Sequence, residues 1–218
     1  MPSGRHAGKT YLLVEGKDDY TFFKILFEMI STTPLTIVDC GSESKIELNL
    51  KQITSKDDYE DISHIGIAVD VDNGTTVDAM RKIRGIFQRV AGINIPDGST
   101  YPYFDKGSRK SLFGLAIPGD LSNGKMLEDL ILNSCIPEAI SAQAHSHVSN
   151  VLKLNVDGFI PRNPSKSRLI SSLAVLTDYQ SSLAFALQNG RLKLDDPRLD
   201  SLKRQLFDWI EFTPASDP

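Results

Sequence analysis

Four short apolar runs constrain this chain more than any other feature. They are Tyr11-Leu12-Leu13-Val14, Leu35-Thr36-Ile37-Val38, His64 to Val69 and Leu112 to Ile117. Each is too short for a helix and nearly continuous in hydrophobicity, which is the pattern of a strand buried on both faces. Helical periodicity fills most of the intervals. Phe22, Phe23, Leu26 and Ile30 align within Asp19–Ile30, and Ile46, Leu50 and Ile53 align within Lys45–Ile53. Val77, Met80, Ile83, Phe87 and Val90 follow a cap at Thr75 or Thr76. Strands that alternate with helices predict an α/β fold: a mainly parallel four-stranded sheet with helices on both faces.

A loop rich in Gly, Pro and Asp runs from Gly92 to about Lys110 before the fourth strand, which Pro118-Gly119 stops. From Lys125 onward the pattern is helical. Leu127, Leu130 and Ile131 mark one helix, Leu169, Leu173, Leu176 and Leu183 a longer one, and Leu199, Leu202, Leu206 and Trp209 the last. The division expected is residues 9–135 as the α/β unit and 136–213 as a helical lobe packed on it. Pro161 to Pro164 leads into that lobe, and the tail after Thr213 is expected to fray.

Hydrophobic residues make up 40% of 218, enough for a core and too many for a disordered chain. No apolar run approaches the roughly 20 residues of a membrane span. The polar N-terminus has no signal-like segment, and Cys40 and Cys135 form no metal-binding pair, so a reducing, cytoplasmic setting is expected. With 24 Lys+Arg against 28 Asp+Glu, the net charge of −4 argues against a protein that coats DNA. It leaves room for an enzyme with a local basic groove.

Two acidic clusters follow strands directly. Glu15-Gly16-Lys17-Asp18-Asp19 follows the first, and Asp70-Val71-Asp72-Asn73-Gly74 the third. Ligands of open α/β sheets bind at the carboxyl ends of the strands, where parallel strands would bring both clusters to one edge. Alternation puts Asp70 and Asp72 on one side, facing Glu15. Carboxylates so gathered repel one another, and a hard divalent cation removes the conflict, so an all-oxygen set points to Mg²⁺ or Mn²⁺. The competing reading is helix capping, with Asp18 and Asp72 the residues that could do only that.

The Glu after one strand and the Asp-x-Asp after another resemble the Toprim domain of topoisomerases, primases, OLD-family nucleases and a small ribonuclease that matures ribosomal RNA. The matching region is about Lys9 to Leu132. A closer resemblance, to small stand-alone Toprim-like proteins of uncharacterised function, extends through Ile117-Pro118-Gly119-Asp120 and Asn123 to Asp129, and through Pro164-Ser165-Lys166-Ser167. It implies a Toprim-like (Rossmann-like) fold and a Mg²⁺- or Mn²⁺-dependent phosphoryl-transfer site acting on DNA or RNA. Neither a topoisomerase tyrosine nor a primase zinc module is apparent.

On this reading Asp70 and Asp72 hold one metal, and Glu15 is a ligand or a general base. Asp19, one helical turn beyond, completes its site. Glu128 helps hold a second metal, if there are two. Lys166 supplies positive charge to the leaving group, with a solvated lysine as the competing reading. Nucleic acid would be met by Arg81 and Arg84 on one helix, with Lys82 and Arg89, and by Lys106, Arg109 and Lys110 among Tyr101, Tyr103 and Phe104 of the long loop. The ordinary alternatives there are a solvated helix face and a plain surface loop.

Other patterns fail on spacing. Gly4 to Thr10 has three residues between its glycines where a P-loop needs four, and it precedes a strand. Asp70 to Gly74 puts Gly fifth where a calcium loop needs it sixth. His145 and His147 fall in a helical stretch, where they diverge. The leading expectation is a metal-dependent nuclease in defence or nucleic-acid processing. The alternatives are a non-catalytic module working with a protein partner such as an ATPase, and an RNA maturation ribonuclease. The oligomeric state stays open.

Overall fold

The structure, a computed structural model, describes residues 8–72, 74–97, 99–117, 126–154, 156, 163–176 and 182–212. Asn73, Gly98, the Pro118–Lys125 part of the sequence motifs, Pro161 and the tail after Thr213 lie outside the described residues.

Five strands form one sheet: β1 (Lys9–Val14), β2 (Leu35–Asp39), β3 (Ile62–Asp70), β4 (Tyr103–Asp105) and β5 (Lys110–Ile117). Their order is β2-β1-β3-β5-β4, and all neighbours are parallel except β4 and β5. The fold is therefore α/β with a mostly parallel sheet. The antiparallel edge strand β4 was not visible in the sequence. It lies in the expected loop, three residues long and without an apolar run, and it exists because a tight turn folds it back on β5.

Alternation along the strands divides the core in two. Tyr11, Leu13, Ile65, Ile67, Val69 and Leu112 face one side, against α2 (Ile46–Thr54) and α3 (Thr76–Ala91). Leu12, Val14, Ala68, Phe113, Leu115 and Ile117 face the other, against α1 (Lys17–Ile30) and α4 (Leu127–Ser134). Thr75 caps α3 by accepting the Asp78 N–H. The buried stripe of α3 is Ala79, Ile83, Ile86 and Phe87, while Val77 is exposed. At 3.6 residues per turn Val77 lies about 120° around the helix from Ile83, so the periodicity that seemed to include it does not.

The C-terminal helices are α5 (Glu138–Leu154), α6 (Pro164–Leu176), α7 (Leu183–Gln188) and α8 (Asp200–Ile210). The single longer helix expected through Leu183 is two helices, with Leu183 opening the second. Leu169, Leu173, Leu206 and Trp209 share one buried cluster with Leu12 and Phe113 of the sheet. Trp209 stacks on Phe113 at 5.0 Å and donates its indole N–H to the Ser111 carbonyl at 3.3 Å. A Cβ on Gly66 would stand 2.7 Å from the Trp209 ring, so β3 needs glycine where α8 crosses it. Among the described residues no helix is long and apolar enough to cross a membrane.

Candidate functional site

The strand order fixes where the sheet opens. The chain leaves β1 into α1 on one face, and leaves β3 into α3 on the other, while β1 and β3 are neighbours. Connections that diverge from adjacent strands create a crevice at their carboxyl ends. Glu15 follows β1 and Asp70 ends β3, so both acids stand at that opening.

Two hydrogen bonds tie the opening together. The Asp70 backbone N–H donates to Glu15 Oε1 at 2.8 Å, across the β1–β3 gap. Asp70 Oδ1 accepts the N–H of Leu127, the first residue of α4, at 2.9 Å. Asp19 reaches back to accept the Gly16 N–H at 3.1 Å, which caps α1. Asp19 and Asp70 make the bonds at helix starts, and Asp18 also lies in the first turn of α1.

Glu128 is buried in the first turn of α4, and Lys166 of α6 meets its Oε1 at 3.4 Å. Asn163 holds α6 in place by accepting the Lys166 N–H at 3.0 Å. Glu15 after β1, Asp19 of α1, Asp70 of β3, Glu128 of α4 and Lys166 of α6 lie near enough for their charges to act on one another. Asp72 stands at the rim. It is exposed, in a left-handed turn with φ 51°, and near enough for its charge to act on Glu15.

Burial is the largest influence on three of these acids. It pushes Asp70 up to about 9, with the charges of Asp19, Glu15 and Glu128 adding to it. It pushes Glu15 to about 7 against the opposing Asp70 N–H bond, and Asp19 to about 6 with the help of Glu128. Lys166 is raised, first by Glu128. Among the described residues Lys166 is paired with Glu128 and Lys82 with Glu43. The donors are all oxygen, which suits a hard divalent cation and not zinc or copper. Among the described residues no three His, Cys, Asp or Glu side chains already form a group able to hold a metal ion. The acids share one edge without being closed into a ligand shell.

Sequence reasoning missed Glu43, whose charge also acts on Glu15 and which pairs with Lys82 of α3. The signal was available: β2 is parallel to β1, so the residues after it come to the same edge.

The basic residues expected to meet nucleic acid divide between the start of α3, where Lys82 pairs with Glu43, and the β4–β5 turn at the other end of the sheet. Arg81 pairs with Asp78 at 2.9 Å. Arg84 bonds Asp97 and the Ser99 carbonyl, each at 3.3 Å. Lys106 and Arg109 lie in the β4–β5 turn at the amino end of β5. From that end to Asp70 is six residues along the β3–β5 ladder, roughly 20 Å at about 3.3 Å per residue. Lys110 is a correction. It is a buried strand residue, not a loop cation, and its ammonium donates to the Tyr59 carbonyl at 3.1 Å and the Ile62 carbonyl at 2.9 Å.

The family described as "Protein of unknown function (DUF3226)" matches residues 9–210. The chain belongs to that family. No curated protein and no solved structure matches it.

Proposed function

We propose that this member of the family is a divalent-cation-dependent phosphodiesterase acting on nucleic acid, built on a Toprim-like variant of the Rossmann-like layout. One observation carries the reading. Carboxylates that follow β1, open α1, end β3 and open α4 act on one another at the switch point of the sheet, with Lys166 paired to Glu128.

Glu15, Asp19, Asp70 and Glu128, with Asp72 at the rim, would hold Mg²⁺ or Mn²⁺. A bound cation would neutralise phosphate oxygens and make an attacking water more acidic. The chain's own residues do the rest. The Leu127 N–H orients the Asp70 carboxylate, and the Asp70 N–H orients that of Glu15. Glu15 serves either as a ligand or as the base that takes a proton from water; without a cation, burial raises it to about 7. Lys166 carries a positive charge beside Glu128, where it would favour a developing negative charge on a leaving oxygen.

A second reading is a module that binds a cation and a protein partner such as an ATPase without turnover. Purified protein, incubated with supercoiled DNA, single-stranded DNA and structured RNA in Mg²⁺, Mn²⁺ or EDTA, separates the two. Cleavage that needs the cation and disappears in Asp70→Asn supports the enzyme, and the substrate cut says whether RNA maturation is the task. Calorimetric Mn²⁺ binding without cleavage of any substrate supports the module. No cation binding at all would sink both.

A further inference from the structure

Strand β3 does not alternate cleanly at its start. Ile62 and Ile65, three residues apart, face the same core, and the register with β1 pairs Lys9 with Ile62 and then Thr10 with His64. Ser63 is the extra residue of a β-bulge, a feature that re-aims a side chain. In an unbroken strand Ser63 and His64 would point to opposite faces. Here Ser63 Oγ lies 2.7 Å from His64 Nδ1. A Cβ on Gly8 would stand 2.6 Å from Ser63 Oγ, so the neighbouring segment carries glycine where the hydroxyl sits.

The far side of the ring decides which way the proton runs. His64 Nε2 lies 3.2 Å from the Phe212 carbonyl, which can only accept. Nε2 therefore carries the hydrogen, and Nδ1 is left to accept from the Ser63 hydroxyl. Burial holds the His64 pKa below its ordinary value, so the ring is an uncharged acceptor at neutral pH. The Phe212 carbonyl and the Glu211 charge favour the imidazolium once a proton arrives. A hydroxyl, a base that takes its proton and a third group that orients the base are the parts of an activated nucleophile.

Ser63 also lines a cavity of about 750 Å³ at the amino end of the sheet, a size that suits a small molecule. Ser108 and Arg109 of the β4–β5 turn line it too. Ser108 Oγ is buried without a hydrogen-bond partner among the described residues. Arg109 is exposed and holds a left-handed conformation with φ 56°, which costs energy in a residue other than glycine. Strain of this kind gathers at functional sites. Lys9 and Arg109 are matched in the lining by Glu60 and Asp61, so the cavity suits a neutral substrate.

We infer that Ser63 and His64 are a second catalytic pair, nucleophile and base, which hydrolyses a neutral carboxylic ester held in this cavity, with the Arg109 guanidinium as counter-charge to the oxyanion. Ser63 Oγ adds to the ester carbonyl carbon as its proton passes to His64 Nδ1. The tetrahedral oxyanion collapses, the bond to the alcohol oxygen breaks, and the alcohol leaves with the proton from His64. Water then adds to the acyl-serine, gives its proton to His64, and the carboxylic acid departs as that proton returns to Ser63. The inference does not depend on the acidic edge, since Asp70 lies seven residues further along β3, roughly 20 Å away.

A fluorophosphonate, which phosphonylates activated serines, and p-nitrophenyl acetate test it on the whole chain. The wild-type protein should take up one phosphonyl group, mapped to Ser63 by peptide mass, and should release p-nitrophenolate. Ser63→Ala should lose both. His64→Gln should slow both about 100-fold, the lower end of what a general base contributes. Arg109→Asn, which tolerates the left-handed turn, should slow ester hydrolysis about tenfold. Far-UV circular dichroism checks that each variant folds. Labelling of the wild-type chain needs no variant, so a His64 variant that fails to fold leaves the test standing. No label on the folded wild-type chain, a label mapped to another residue, or rates unchanged in folded His64→Gln overturns the inference and leaves the pair as a structural hydrogen bond.

Discussion

The two ends of the sheet both bury ionisable groups, and they treat them in opposite ways. At the amino end, the Lys110 ammonium is enclosed, donates to two carbonyls and stands 4.2 Å above the Tyr59 ring. Burial lowers its pKa, yet the carbonyls and the ring face compensate the charge locally. At the carboxyl end, Glu15, Asp19 and Asp70 are raised by burial and by one another, with Lys166 paired to Glu128 beside them. The first arrangement is finished by the chain itself. The second leaves acids that keep their protons or ionise at a cost, and a cation that displaces those protons relieves that cost.

The largest expected effect is on stability against pH. Glu15, Asp19 and Asp70 all hold their protons more tightly in the folded chain than in the unfolded one. The stability they contribute is fully present below about pH 4 and is lost as pH rises through about 6, 7 and then 9. An uncompensated buried charge costs about 3–5 kcal/mol, and a chain of this size loses about 2–4 °C per kcal/mol. In EDTA the melting temperature should therefore fall by about 10 °C across that window, and Mg²⁺ or Mn²⁺ should restore most of it at the alkaline end. A flat profile without cation would mean that water or counter-ions already finish this end as completely as the other.

Asp70→Asn comes next. The amide oxygen can still accept the Leu127 N–H, so the fold is kept while one charge is removed. Turnover should fall about 10³-fold, in line with losing a principal electrostatic contact in a transition state. The melting temperature in EDTA should hold steady or rise, and the rescue by cation should shrink. A variant that destabilises the metal-free chain as much as it slows turnover would make Asp70 a structural residue like Lys110.

How much of this was legible follows from what each residue depends on. The four parallel strands and the acids after the first and third could be read, because local periodicity determines both. Their common edge followed from parallel pairing. The β4 edge strand could not be read, since three residues carry no period. Lys110 was misplaced because its burial depends on Tyr59, 51 residues away, which turns a loop cation into a core one. The pairing of Lys166 with Glu128 spans two helices, and no spacing in the sequence announces it.

Lys110→Met tests the amino end directly. It takes the ammonium from the Ile62 carbonyl and leaves the Tyr59 carbonyl with the Ile62 N–H alone, and an orphaned buried acceptor costs about 1–3 kcal/mol. The urea midpoint should drop accordingly. Turnover and cation affinity should not move, because the change lies roughly 20 Å from Asp70 along the ladder. A loss of activity at full stability would mean that the two ends are coupled.

Lys166→Met carries the smallest effect and draws the finest distinction. Its side chain is 58% exposed while Glu128 is 7% exposed, so the pair is anchored on the acid. Removing the ammonium takes a positive charge from the edge and leaves Glu128 buried without it. If Lys166 serves only to neutralise Glu128, a cation can replace it: turnover holds, and cation affinity rises a few-fold because one competitor has gone. If it acts on the leaving oxygen, turnover falls about tenfold at saturating cation, a modest share of the barrier suited to an exposed group. The proposed role predicts the second result. Lys166→Arg then serves as the control, since it restores the charge without the ammonium's geometry and should recover only part of the rate.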